Sequence, residues 1–295
     1  MTTTLGQRPL ATSRRARNMA AVMWMVVSVL IALIPLVLII VYVAGKGYGI
    51  VARNFPQFFT KALPLVTTNP GGGARPAIVG TILMTGAAAL LAIPLGVLAA
   101  VYLNEYGGTG RLARVLRFFS EVMSGVPSIV MGLFVFTVFT LNYGLIGFGG
   151  SLALACLMLP IVIRSSEEML RLVPDELRQA SLGLGCPQWR TIVSVVLPAA
   201  APGIISGAML AIARAAGETA PLLFTIGIVS KSNFDLFHGP NTALLQQIYN
   251  NATAGPFPAP QERAWGMALT LIGIVMLCSL AARVVASRFG KVQQA

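Results

Sequence analysis

The chain has 295 residues, 56% of them apolar and 10% charged, with 21 Lys and Arg against 9 Asp and Glu for a net charge of +12. Soluble domains carry about 25% charged residues, so a mean hydropathy of +0.79 excludes a free-standing soluble fold and makes lipid the solvent for much of the surface. The isoelectric point near 10.5 does not call for nucleic acid, because the basic residues gather in loops on one side of the apolar segments, as membrane topology alone requires.

Six apolar segments predict spans, in chain order Ala20–Val43, Ala77–Tyr102, Phe118–Leu141, Leu145–Ile163, Ala199–Phe224 and Trp265–Ala286. Each approaches the ~20 residues that a helix needs to cross the hydrocarbon. The first follows Arg8, Arg14, Arg15 and Arg17 and exceeds the apolar core of a signal peptide, so it reads as an uncleaved helix. Basic residues recur in the 104–117 loop (Arg111, Arg114, Arg117), the 164–197 loop (Arg164, Arg171, Arg178, Arg190) and the C-terminal tail (Arg283, Arg288, Lys291). That asymmetry predicts both termini on the cytoplasmic side. The expected organisation is all-α and polytopic with six transmembrane helices: a tail over 1–19, a first helix and outer loop over 20–76, a core over 77–286 and a tail over 287–295. The far-side segments Gly45–Pro76 and Thr225–Arg263 are long and turn-rich, suited either to a docking surface or to plain connection.

No metal or cofactor site is expected. Cys156, Cys186 and Cys278 are too few and too scattered for a framework, and His238 has no second histidine to share a metal. The Asn251-Ala252-Thr253 triplet carries no weight as a glycosylation signal, since such triplets arise readily by chance.

Residues 173–198 break the apolar pattern with VPDELRQASLGLGCPQWRTIVSVVLP. Pro174 suits a first helical position, with Asp175 and Glu176 at the positive end of the helix dipole. Leu177, Ala180, Ser181 and Leu184 then fall on one helical face; Gly183, Gly185 and Pro187 interrupt it; and Trp189, Ile192, Val193 and Val196 form a second stripe that stops at Pro198. Two short amphipathic helices joined at a glycine corner suit either a groove in a soluble partner or the lipid surface.

The fifth span carries Arg214 and Glu218 on the same face as Gly203, Gly207 and Ala211, all within about 40° of one another's mean direction on a helical wheel. A small-residue face admits a neighbouring backbone, so the charges are expected to meet protein or water, as a structural ion pair or as part of a pathway. On the third span, Glu121, Gly125, Ser128 and Gly132 share a face, with Pro127 between. At the end of the fourth, Arg164 can reach Glu167 or Glu168 at helical spacing.

The loop resembles the EAA loop of ABC importer permeases: Gly185, nine residues, then Val195, any residue, Leu197 and Pro198. Gln179-Ala180-Ser181 stands where that family has Glu-Ala-Ala, so one side-chain contact differs. RPAIVGT from Arg75, VPSIVMGLF from Val126, ARAAGETAPL from Ala213 and the run from Asn241 to Ala252 resemble phosphate importer permeases of the PstA type over roughly residues 70–290. The resemblance implies a type I (MetI-like) permease fold in a bacterial cytoplasmic membrane. It also implies a second permease subunit, a dimeric ATP-binding subunit and an extracytoplasmic phosphate-binding protein as partners. Residues implied at the ATPase contact are Gln179, Ala180, Ser181, Gly185, Trp189 and Pro198. Those implied along the substrate pathway are Arg164, Glu167 and Arg214, which Glu168, Glu218, Glu121 and Ser128 join from the readings above. The chain contains no GxxxxGK[ST] loop to cradle a nucleotide, so this subunit is expected to transport rather than catalyse. The rival readings are a permease for sulfate, molybdate or phosphonate, and, from another class, an ion-driven secondary transporter.

Overall fold

The computed structural model describes residues 12–108 and 110–292, which form helices and turns without a strand. Arg8, Thr109 and the last three residues lie outside the described set. In chain order the helices are α1 (Thr12–Arg53), α2 (Gln57–Thr60), α3 (Arg75–Val101), α4 (Arg111–Gly125), α5 (Ser128–Val135), α6 (Leu141–Tyr143) and α7 (Gly147–Arg171). Then come α8 (Asp175–Gly183), α9 (Gln188–Thr191), α10 (Leu197–Ala216), α11 (Leu222–Thr225), α12 (Leu244–Ala252) and α13 (Pro258–Val292). Wider π-helical turns extend α3 (Tyr102–Tyr106), join α5 to α6 (Phe136–Thr140) and join α9 to α10 (Ile192–Val196).

Helix α3 packs against α7, α7 against α10 and α10 against α13. A stripe on α3 explains how closely: Gly80, Met84, Ala88, Ala92, Gly96 and Ala100 recur at every fourth position and are all buried. Such a row packs into the groove of a neighbouring helix, and its small members bring the backbones together. A Cβ on Gly96 would sit 2.7 Å from a Val162 methyl of α7. Two of the sequence motifs turn out to be halves of such contacts. Gly80, in RPAIVGT, faces the Thr242 carbonyl of the Asn241–Ala252 run, and Thr81 Oγ1 accepts a hydrogen bond from the Leu244 amide at 2.9 Å. Gly132, in VPSIVMGLF, meets Pro221 of GETAPL.

Among the described residues, five helices are long and apolar enough to cross a membrane, or six if α4 and α5 count as one broken span. The break corrects the third expected span. Phe118–Gly125 belongs to α4, which lies at 108° to the helix over 128–143. The cause is local: a residue before proline avoids helical backbone, and Val126 is extended at φ −70°, ψ 130°. Glu121 and Gly125 therefore do not share a helix face with Ser128 and Gly132. The fifth expected span is shifted as well. Its helix begins back at Gln188 and ends at Ala216 with Gly217 as its C-cap, so Glu218 lies beyond the helix.

The second stripe does not stop at Pro198 as expected. Pro198 lies inside the continuous helix from Gln188 to Ala216, directly after the π-turn Ile192–Val196, and such a widened turn accommodates a proline within an apolar helix. Pro174 stands one position outside α8, as its N-cap. Helix α7 continues past Ile163 to Arg171, which places Arg164, Glu167 and Glu168 inside its last two turns.

The first span overruns the expected Val43 by two to three turns, through three glycines, each of which disfavours helix by ~1 kcal/mol. Close packing offsets this at Gly47, where a Cβ would lie 2.7 Å from the Trp265 carbonyl oxygen of α13. Over most of its length α1 leaves its apolar side chains uncovered by this chain.

At the end of the molecule where α3 and α13 begin, Arg263 fastens the 67–71 loop. It is 4% exposed. It donates to the carbonyls of Asn69 (2.6 Å), Gly71 (3.0 Å) and Thr67, and through Nε to Asn251 Oδ1 at 3.2 Å. Arg263 and Asn251 both belong to the turn-rich segment Thr225–Arg263, and both are buried. Arg263→Leu is expected to leave these acceptors unpaired at about 1–3 kcal/mol for each one kept from water. The checks are a lowered thermal midpoint in detergent and new protease cleavage within 64–73.

Candidate functional site

The 173–198 segment folds as an elbow between α7 and α10, and its corner is a Schellman turn. Cys186 N–H donates to the Ser181 carbonyl (3.2 Å) and Gly185 N–H to that of Leu182 (2.9 Å). This pairing needs a left-handed residue after the helix cap, and Gly185 supplies it at φ +82°. Inside the corner Ser181 and Thr191 share a hydrogen bond of 2.8 Å between buried hydroxyls. Ser181 thus turns inward, whereas the expectation put it on one face with Leu177 and Leu184. The second stripe also divides: Ile192 and Val196 are buried, Trp189 and Val193 exposed. The outward surface carries Leu177, Ala180, Leu182, Leu184 (86% exposed) and Trp189 (62%), with Gln179 beside them.

A residue that the sequence reading did not single out holds this elbow in place. Glu105, in the π-turn that ends α3, has only 7% of its side chain exposed and accepts two bonds from Arg178 of α8, Nη2 to Oε1 at 2.9 Å and Nε to Oε2 at 3.2 Å. Arg178 also donates to the Val173 carbonyl (2.7 Å), the Leu170 carbonyl (2.9 Å) and Asp175 Oδ1 (3.0 Å). The bond to Glu105 is the main reason its pKa rises further above the ordinary arginine value. From the other limb, Gln188 Nε2 donates to the Glu105 carbonyl at 2.9 Å. The available signal was an acidic residue closing an apolar span beside a basic loop; its partner, 73 positions on, is set by tertiary packing.

Above the elbow a cavity of about 190 Å³ gathers Arg117, Glu121, Arg164, Glu167, Glu168 and Arg171. The expected Arg164 contact to Glu167 or Glu168 does not form. Glu167 is instead held by Arg117 Nε (3.1 Å) and by Arg171 Nη2 (2.5 Å). Arg117 reaches across from α4 and also donates to the Leu103 carbonyl at 2.9 Å. Arg164 and Glu168 are left exposed on the cavity wall. Three guanidinium groups around a small space can take the oxygens of a tetrahedral anion through paired hydrogen bonds, and the interleaved carboxylates weaken that hold.

Arg214 and Glu218 stand apart from this cluster. Gly203 and Gly207 face Met169 and Ser165 of α7, which brings the two helices close, as the small-residue face required. Arg214 is seven residues beyond Gly207, ~10 Å further along the helix. Its side chain is 68% exposed in this chain, and Nε lies 3.6 Å from Glu218 Oε1. A charge so placed on a span cannot face acyl chains without a cost of ~2.5–3.5 kcal/mol. Ser128 opens α5 and lines neither arrangement.

A chain of long apolar helices, two of them joined by a clamped elbow with an exposed apolar surface, has the form of a membrane subunit. It belongs to the family described as "binding-protein-dependent transport system inner membrane component", whose profile matches residues 92–291. It is 48% identical over 281 residues to the phosphate transport system permease protein PstA 1 of Mycobacterium tuberculosis, covering 94% of this chain and 90% of that one. Identity is 46% over 271 residues to PstA of Mycobacterium leprae, covering 91% and 88%. To PstA of Pasteurella multocida it is 38% over 242 residues, covering 80% and 85%. Among solved structures, an inward-facing MetNI methionine ABC transporter chain superposes with a TM-score of 0.61 at 18% identity, over 72% of this chain and 94% of that one. That likeness establishes the fold.

Proposed function

We propose that this chain is the transmembrane permease subunit of an ATP-driven importer of inorganic phosphate. It pairs with a second permease to enclose the pathway, a dimeric ATP-binding subunit grips the elbow, and an extracytoplasmic phosphate-binding protein delivers the anion to the opposite end. Both termini and the elbow face the cytoplasm. The observation that carries this reading is the elbow: a rigid corner holds Leu182, Leu184 and Trp189 out into water, where burial in a partner's groove is the favourable outcome. Gln179 and Ala180 lie at the rim of that contact, while Ser181, Gly185 and Pro198 hold its shape. On the pathway we place Arg214 and Glu218, and, nearer the elbow, Arg164, Glu167, Glu168 and Glu121; Ser128 marks where the broken span enters. Reconstitution in vesicles with the ATP-binding subunit, second permease and binding protein should give labelled phosphate uptake that requires ATP and resists excess sulfate and molybdate. Uptake without ATP, or abolished by those competitors, rejects the reading.

Gly185 gives a sharper check on the elbow. A Cβ there would meet no atom within 4 Å, so any effect of substitution comes from the backbone, where the left-handed region costs ordinary residues about 1–2 kcal/mol. Gly185→Asn, which tolerates that region, should leave co-purification of the ATP-binding subunit and uptake near normal. Gly185→Val should weaken both.

A further inference from the structure

We propose that the Glu105–Arg178 pair is the joint through which displacement of α8 enters the membrane body, and that it delivers that displacement to α3. The proposal rests on the importer reading above and adds to it the route of the push. Along the chain, α8 is joined to α7 through Leu172, Val173 and Pro174 and, through the corner at 184–187, to α9, which runs on into α10. Helix α3 is not among its sequence neighbours. The link is the Arg178 guanidinium, all five of whose N–H groups are engaged: two by Glu105 in the π-turn extending α3, one by the Leu170 carbonyl in the last turn of α7, one by the Val173 carbonyl just beyond it, and one by Asp175 of α8 itself. One planar fork therefore locks three helices together, a geometry that lysine cannot reproduce.

Both limbs of the elbow converge on the same residue, since Gln188 of α9 holds the Glu105 backbone carbonyl. The same π-turn is also held at the Leu103 carbonyl, which accepts a hydrogen bond from Arg117. Beyond the turn lies the buried stripe of α3 against α7, whose tight contacts, such as Gly96 on Val162, transmit movement rather than absorb it. Glu105 and Arg178 are positioning residues: neither needs to touch phosphate or nucleotide.

Two measurements test this. The first is independent of any cargo: hydrogen exchange on the whole chain in detergent. Glu105→Gln should speed exchange of the α8 amides at least tenfold while those in the middle of α7 stay unchanged; α8 exchange equal to the wild type overturns the joint. The second uses the complete transporter, comparing phosphate moved per ATP hydrolysed. Glu105→Gln and Arg178→Lys should keep the ATP-binding subunit bound and hydrolysing within twofold, with the transport ratio falling at least fivefold. Gln188→Ala, a milder change, should lower the ratio about twofold. An unchanged ratio in the assembled Glu105→Gln complex overturns the proposal, as does a loss of assembly and transport in equal proportion across all three variants. A wild-type complex that moves phosphate without ATP rejects the importer reading instead, and the exchange result then stands or falls by itself.

Discussion

Arg214→Ala is expected to give a chain that inserts and assembles normally yet moves phosphate at least ~10-fold more slowly, a barrier increase of about 1.4 kcal/mol. The separation of the two effects follows from exposure. With 68% of its side chain uncovered and Glu218 at 3.6 Å, Arg214 contributes to this chain's own stability no more than an exposed ion pair does, about 0–1 kcal/mol. Its position in the last turn of α10, where the helix dipole favours a cation, keeps the charge in place without demanding a protein partner. Arg214→Lys should recover part of the rate, because lysine keeps the charge but loses the bidentate fork. Glu218→Gln, which removes the competing carboxylate, should slow release of the anion and lower the maximal rate. Full-rate uptake by a correctly assembled Arg214→Ala transporter counts against the pathway assignment.

Gly80→Ala should be the most damaging alanine substitution among the described glycines. A Cβ at that position would lie 1.9 Å from the Thr242 carbonyl oxygen and 3.1 Å from its carbon. The obstacle is backbone, so no rotamer change relieves it, and Thr81 pins the same segment through the Leu244 amide at 2.9 Å. Overpacking of this kind typically costs 1–3 kcal/mol and occasionally more, enough to reduce the folded protein recovered from membranes several-fold. Gly86→Ala on the same helix is the control, since a Cβ there meets nothing within 4 Å. It should be neutral or stabilising by roughly 1 kcal/mol through helix propensity. If the two variants are recovered equally and melt together, the contact between α3 and the segment before α12 is not as described.

The third span shows why averaging misleads. Over Phe118–Leu141 the apolar content is enough for a span, and a window of ~20 residues hides what happens at Val126-Pro127. The two-residue signal was present, because proline restricts the residue before it, but nothing local says whether the chain kinks mildly or turns through 108°. The same holds for GETAP after Ala216: Gly217 and Pro221 mark a break, and only the fold shows Pro221 set against Gly132. Glu121 and Ser128 lost their common face for this reason alone.

Composition and local pattern by themselves determined that this chain lives in lipid as an all-helical protein, that residues 173–198 interrupt the apolar pattern with an elbow, and that a glycine turns its corner. Each of these depends on residues within one or two helical turns, where solvation, proline geometry and left-handed backbone act directly. Tertiary structure alone decided which helices the small-residue stripes meet, that Glu167 answers to Arg117 rather than Arg164, and that Glu105 and Arg178 clamp the elbow to α3. A helical period names the face that must be covered; the identity of what covers it is set by pairings 50 to 163 positions apart, which no local pattern encodes.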